Sequence, residues 1–337
     1  MRSLRLILIS GAVLFAAACA PDSTPTGVTS PGSPSFDRAP DAGSDQATAN
    51  RHVFELRNSP GNAAAHAGGK GGGSGTGISY HGGSVLLNAT NVVAVYWASA
   101  PIYTNGPAVG STGTGSADGS LIGYFLRNLG GSPYFNINTT YTNGTTKIAN
   151  VVNYNGFWAN NTNAPSGNQT VSDAQMIAML QSGFNNGALN YDPNTLYTIF
   201  TAGAVNLGGG FGGTSFRYCA YHTHGTVTVN GVAKTVLYAA MPYDAQYPSS
   251  CTGGAAPNGD VGADAEVNTL AHEIEETTTD MMGNAWYDSR GYENADKCAW
   301  QFGPLTGGGS IVVGQKNFLV QMNWVNAGSG GCIQTYP

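Results

Sequence analysis

Ten of the nineteen acidic residues of this 337-residue chain lie between Asp260 and Asp296, and Arg290 is the only Lys or Arg inside that window. Even spacing would place about two acids there. Like charges so crowded repel one another, and a fold that gathers them loses stability unless something neutralises them. A bound cation would do so. A solvated acidic face is the competing reading.

The window contains His272-Glu273-Ile274-Glu275-Glu276, a His-Glu-x-x-Glu. About Ala263 to Thr279 reads as a helix, with an apolar stripe of Val267, Leu270, Ala271 and Ile274. On a helix, residues i and i+4 share a face, so His272 and Glu276 can hold one metal ion. That face points away from the stripe, toward a cleft or toward water. Glu273 then stands beside the ion, where a carboxylate can take a proton from bound water. A Glu at the last position is a harder ligand than His, which lowers zinc affinity and makes another cation more plausible; zinc still ranks first, with calcium open.

Further ligands are ranked Glu293, then Asp296, then His222, which alternates with His224 on a predicted strand. His222 or Tyr287 could steady an oxyanion, whereas Trp286 reads as core. Asp260 and Asp264 form a weak calcium-loop signal, and Asp264 also reads as the helix cap.

Only 9 % of the chain is charged, with 13 Lys+Arg and a net charge of −6. Phosphate-backbone binding needs clustered bases, so nucleic acid is not an expected partner. Residues 1–19 read as a signal peptide: Arg2 and Arg5 precede an apolar run, Leu6 to Ala18, that is too short to span a bilayer. The run ends in a lipobox-like Leu14-Phe15-Ala16-Ala17-Ala18-Cys19, so a lipid anchor on Cys19 is the one membrane link expected, with plain secretion as the alternative. Without Cys19, the remaining Cys219, Cys251, Cys298 and Cys332 suggest two disulfides in three possible connectivities. Sequence proximity favours Cys219–Cys251 and Cys298–Cys332.

Residues 20–77 read as a Pro/Ser/Thr/Gly-rich disordered tether, in which His52 to Leu56 either packs on the domain or belongs to a propeptide. From residue 78, strands are expected at Val92–Trp97, Ile148–Tyr154, Leu196–Phe200, Tyr218–His224 and Phe318–Trp324. Asn230-Gly231 signals a type I′ hairpin. Helices are expected from Asp118 to Gly130 and from the capping box Ser172-x-x-Gln175 through Leu180. The Gly208–Gly213 cluster lacks a phosphate-loop Lys, and no Gly-x-Ser-x-Gly elbow occurs. The fold class is mixed α/β (α+β): a single zincin-like domain with a twisted sheet and a metal-site helix.

Tyr80-His81-Gly82-Gly83, Cys219-Ala220-Tyr221-His222, Pro257 to Gly262, Ala271 to Glu276, Asn284 to Tyr287, Glu293-x-x-Asp296-x-Cys298, Phe318 to Gln321 and Cys332 together resemble the EXORDIUM / phosphate-induced protein family. The resemblance spans residues 78–337 and implies an extracellular protein. The lipobox-like start suggests a bacterial relative, either a cell-envelope lipoprotein or a secreted protein. Two functions follow. The first is an exported zincin-like metal-dependent hydrolase, a peptidase, acting on a peptide or cell-wall substrate. His272, Glu276 and Glu293 or Asp296 would hold its metal, with Glu273 as base. The second is a non-catalytic extracellular factor with a structural metal site that binds cell wall or glycan.

Overall fold

The computed structural model describes residues 51–59, 77–208 and 218–337. The expected signal peptide, Cys19, most of the tether and Gly209–Gly213 lie outside the described residues. No helix among the described residues is long and apolar enough to cross a membrane.

The centre is a seven-stranded mixed sheet. Its strands in chain order are β1 (His52–Glu55), β2 (Thr90–Trp97), β3 (Thr112–Gly113), β4 (Val152–Trp158), β5 (Thr195–Thr201), β6 (Tyr218–Val229) and β7 (Val232–Met241). Their spatial order is β1-β6-β7-β5-β2-β4-β3. The inner pairs β7/β5, β5/β2 and β2/β4 are parallel, and both outer flanks are antiparallel. The β6/β7 hairpin turns at Asn230 (φ 51°) and Gly231 (φ 74°), the left-handed pair that a type I′ turn requires.

Among the described residues three α-helices cover the sheet: α1 (Leu121–Leu129), α2 (Asp173–Asn186) and α3 (Val261–Thr279). Side chains alternate across each strand, so the two faces carry different cores. Val92, Ala94, Leu196, Phe200, Ala220, Leu237 and Ala239 pack with α1 and α3. Val95, Tyr197, Ile199, Tyr221, Tyr238 and Ala240 pack with Met176 and Leu180 of α2. The layers are therefore helix, sheet, helix, in a mixed α/β domain.

Several boundaries differ from the sequence reading. Ser120, not Asp118, caps α1 by accepting from Gly123 N–H. Asp118 is instead buried, accepting from Tyr96 and Tyr154 hydroxyls at 2.6 Å each. The Ser172 capping box is present, and α2 continues past Leu180 to Asn186. The strand expected from Ile148 starts at Val152, because Ile148 is buried in a separate cluster with Tyr141 and Trp286. The late run Phe318–Trp324 is two short strands, Lys316–Phe318 and Asn323–Val325. Between them Gln321 makes local bonds rather than a ladder: its N–H donates to the Asn268 side chain (Oδ1, 2.8 Å) and its Nε2 to the Ala295 backbone O (2.8 Å). Both favoured disulfides, Cys219–Cys251 and Cys298–Cys332, are formed, which fits an exported protein.

His52–Glu55, inside the stretch read as tether, is the edge strand β1. Its register pairs His52 with His222 and Phe54 with Ala220. Opposed residues share a face, so His52 and Phe54 lie on the α3 side with Ala220 and His222. Arg51 reaches the opposite face and donates from Nε to Asp173 of α2 at 2.9 Å.

Candidate metal centre

Helix α3 carries the site. Asp260 caps it, accepting from Ala263 N–H at 3.1 Å, so the cap falls four residues before the expected Asp264. Asp264 accepts from Asn258 N–H (3.0 Å) and Nδ2 (2.7 Å), and Asp260 also accepts from Thr104 N–H (3.0 Å). Those N–H donors occupy the carboxylates of the suggested calcium loop.

The expected amphipathic helix is buried all round. Every residue from Gly262 to Thr279 is buried, and Val261 alone is exposed. Its apolar side meets the sheet and α1, as the stripe predicted. Its polar side meets β6, β1 and the segment Asp288–Trp300, which a sequence read locally cannot supply. The result is a set of carboxylates and imidazoles held in a low-dielectric interior.

Two groupings form around α3. In the first, His272 Nε2 lies 3.0 Å from Glu276 Oε1 and 3.5 Å from Asp296 Oδ1. Asp296 sits in a tight turn next to Cys298, whose disulfide to Cys332 anchors it, and Asp296 N–H donates to Glu276 Oε1 at 3.0 Å. In the second, His52 Nδ1 lies 2.6 Å from Glu293 Oε2, and His222 Nε2 lies 3.8 Å from the same oxygen. His222 joins the two groupings. Its Nδ1 makes a hydrogen bond with Glu273 Oε2 at 3.0 Å and lies 3.6 Å from Glu276 Oε2.

Most of these donor atoms have no hydrogen bond. His222 Nε2, both ring nitrogens of His272, Glu273 Oε1, Glu276 Oε2 and both Glu293 oxygens are buried without one. Buried polar atoms are ordinarily satisfied, so this concentration calls for an external partner. Donor atoms about 2.1 Å from a shared ion lie roughly 3.0–3.4 Å apart, close to the His272–Glu276 and His272–Asp296 separations. The residues therefore fit a divalent cation.

Electrostatics point the same way. Burial, then Asp296, pushes Glu276 up to about 7. Burial raises Glu273 well above the carboxylate range, and burial with Glu276 and Asp280 does the same for Glu293. Burial and the neighbouring histidines lower His222. Burial opposes charge on His272 as well, but Glu276 and Asp296 outweigh it and hold its pKa high. Without a cation, the cluster can relieve its charge only by holding protons.

Of the residues singled out in the sequence, His222, His272, Glu273, Glu276, Glu293 and Asp296 converge. Glu293 sits in the grouping with His52 and His222, and Asp296 is the acid beside His272. Tyr287 stands on a separate two-stranded sheet, stacked on His81 with ring centroids 3.7 Å apart. It is not among the converging residues; burial, then Asp280, raises its pKa. Trp286 is core, as expected, and donates from Nε1 to Thr142 O at 2.7 Å. His224 is half-buried. The residue that sequence reasoning missed is His52. Its one signal was a short alternating apolar stretch inside a polar, Pro-rich segment.

Residues 132–317 match the family described as the phosphate-induced protein 1 conserved region, which is more than half of the chain. The chain belongs to this family, the EXORDIUM / phosphate-induced proteins. A 63-residue stretch is 44 % identical to Protein EXORDIUM-like 3 of Arabidopsis thaliana and covers 18 % of this chain and 18 % of that protein. No solved structure matches the chain. The family match includes His222, His272, Glu273, Glu276, Glu293 and Asp296. His52 lies outside it.

Proposed function

We propose that this protein is an exported, zincin-like metal-dependent hydrolase with peptides as its substrate class. The observation that carries the reading is the convergence of His272, Glu276 and Asp296, with Glu273 beside them, among buried donor atoms that lack hydrogen bonds. His272 Nε2, Glu276 Oε1 and Asp296 Oδ1 would hold the ion, zinc first and calcium second by ligand type. A divalent ion there supplies Lewis-acid polarisation of a carbonyl and lowers the pKa of a bound water. Glu273 is anchored through Oε2 on His222, and its Oε1 is left free to take a proton. His222 fixes that carboxylate and stands near enough to steady developing negative charge. Export follows from the signal-like start and the disulfides, with Cys19 as the lipid anchor of a bacterial envelope protein, or with release as a secreted protein.

A second reading, a non-catalytic extracellular factor with a structural metal site and a cell-wall or glycan partner, is favoured by one observation. His222 is 2 % exposed, and His272, Glu273, Glu276 and Glu293 are 0 % exposed. Structural metal sites are closed, and catalytic sites keep a position open.

One variant separates the readings. Glu273→Gln should keep its metal by elemental analysis and lose chelator-sensitive peptide cleavage by about 100- to 10,000-fold. Unchanged cleavage would refute Glu273 as the base. Wild-type protein that binds metal, melts lower when it is stripped and cleaves nothing supports the structural reading. Metal lost in His272→Ala identifies the site in either case.

A further inference from the structure

We propose that the N-terminal strand completes a second metal position next to the first, formed by His52 Nδ1, His222 Nε2 and Glu293 Oε2, so that the centre holds two divalent ions. The inference rests on the reading that the α3 cluster binds metal.

The three donor atoms lie within 4.8 Å of one another. Glu293 is fully buried, and both its oxygens lack hydrogen bonds although His52 Nδ1 is 2.6 Å from Oε2. The imidazole approaches the carboxylate without hydrogen-bond geometry. His222 Nε2 is also buried and unsatisfied, 3.8 Å from the same oxygen. In the tautomer whose Nδ1–H donates to Glu273 Oε2 (3.0 Å), Nε2 keeps its lone pair and faces Glu293. A carboxylate on one imidazole nitrogen and a metal on the other is the usual arrangement of a metal-bound His.

The fold builds a seat for His52. The β1/β6 register sets it directly opposite His222, and the two rings stack with centroids 5.0 Å apart. On its other side is Gly283 (φ +69°), where a Cβ would lie 2.1 Å from His52 Nε2. Only glycine suits both that backbone conformation and that close approach. Two residues on, Phe54 stacks between His272 (4.0 Å) and Trp300 (4.5 Å). Trp300 Nε1 donates to Glu55 O at 2.9 Å. The strand thus touches both groupings, and Glu276 spans them, with Oε1 toward His272 and Oε2 toward His222.

The test is metal stoichiometry on the full chain. Protein is stripped with chelator, reloaded with zinc, dialysed and measured by elemental analysis beside a circular dichroism spectrum and a melting curve. Wild type should hold two ions, His52→Ala one and His272→Ala one. Cobalt-loaded His52→Ala should lose one of two sets of visible absorption bands. Phe54→Leu, which loosens the strand and keeps His52, should still hold two and so separates ligation from packing. Two ions retained by a folded His52→Ala protein would overturn the inference. So would a single wild-type ion that His272→Ala removes and His52→Ala leaves, a result that spares the proposed function. No ion in wild type would sink both.

Discussion

Asp173 and Glu293 are both carboxylates with almost no exposure, and the protein treats them in opposite ways. Asp173 accepts from Arg51 Nε at 2.9 Å, Tyr221 OH at 2.7 Å and Tyr238 OH at 2.6 Å, and it stands in the first turn of α2, where a helix favours negative charge. Glu293 has no hydrogen bond to either oxygen and is surrounded by other acids and two imidazoles. The two sites lie on opposite faces of the same sheet edge, and the segment Arg51–His52 contributes one side chain to each. The chain can evidently satisfy a buried acid from its own donors. Where it leaves one unsatisfied beside histidines, the balancing charge is to be sought outside the chain.

Metal removal is the strongest way to break this comparison. A site saturated at about a thousand times its dissociation constant adds about 4 kcal/mol per ion. At roughly 2–4 °C per kcal/mol, calorimetry should show chelator lowering the melting temperature by about 8 °C or more at neutral pH. The Asp173 side should not respond to chelator. An unchanged melting curve would mean that the cluster balances itself by holding protons.

Substitution separates the two regions next. Asp173→Ala removes the acceptor shared by Arg51 and two tyrosine hydroxyls and should destabilise by about 3–5 kcal/mol, equally with and without chelator. Glu293→Gln should behave conditionally, melting lower than wild type when metal is present and higher when it is stripped. A Glu293→Gln shift of the same sign in both conditions would show that Glu293 is an ordinary buried acid.

What the sequence revealed follows the same division between local and distant. Helix α3, the α2 capping box and the Asn230-Gly231 hairpin rest on neighbouring residues, and all three were legible. The motif face of α3 was read as opening on a cleft or water because its cover, β1 and Asp288–Trp300, comes from elsewhere in the chain. Ile148 misled the strand assignment because its hydrophobicity serves a loop cluster with Tyr141 and Trp286. The acid crowding did point to the site. It could not say which acids gather with which histidine, because strand register and the Cys298–Cys332 bond decide that. His52 was invisible as a ligand for the same reason, since its place is set by pairing with a strand some 170 residues away.

A third site, a pair of buried acids, tests the comparison at an intermediate point and gives the smallest effect. Asp244 and Glu266 are fully buried, with no His bound to either, and Asp244 Oδ1 and Glu266 Oε1 lack hydrogen bonds. Asp244 does accept from the Thr269 hydroxyl, and Glu266 Oε2 accepts from Asp244 N–H at 3.3 Å. Burial raises Glu266 from 4.5 to about 8, and burial with Glu266 raises Asp244. A carboxyl whose folded pKa is raised binds more proton in the folded state. Its contribution to stability is therefore fully present below about pH 4.5 and is lost as pH climbs through about 8. Metal-free protein should lose stability across this window with a slope of at most about 1.4 kcal/mol per pH unit from this group. Glu266→Gln keeps the shape and removes the titration, so its melting temperature should vary less between pH 5 and pH 8 than that of wild type. If the two profiles run parallel, Glu266 is charged in the fold, and the protein tolerates an unpaired buried carboxylate without either a proton or a metal.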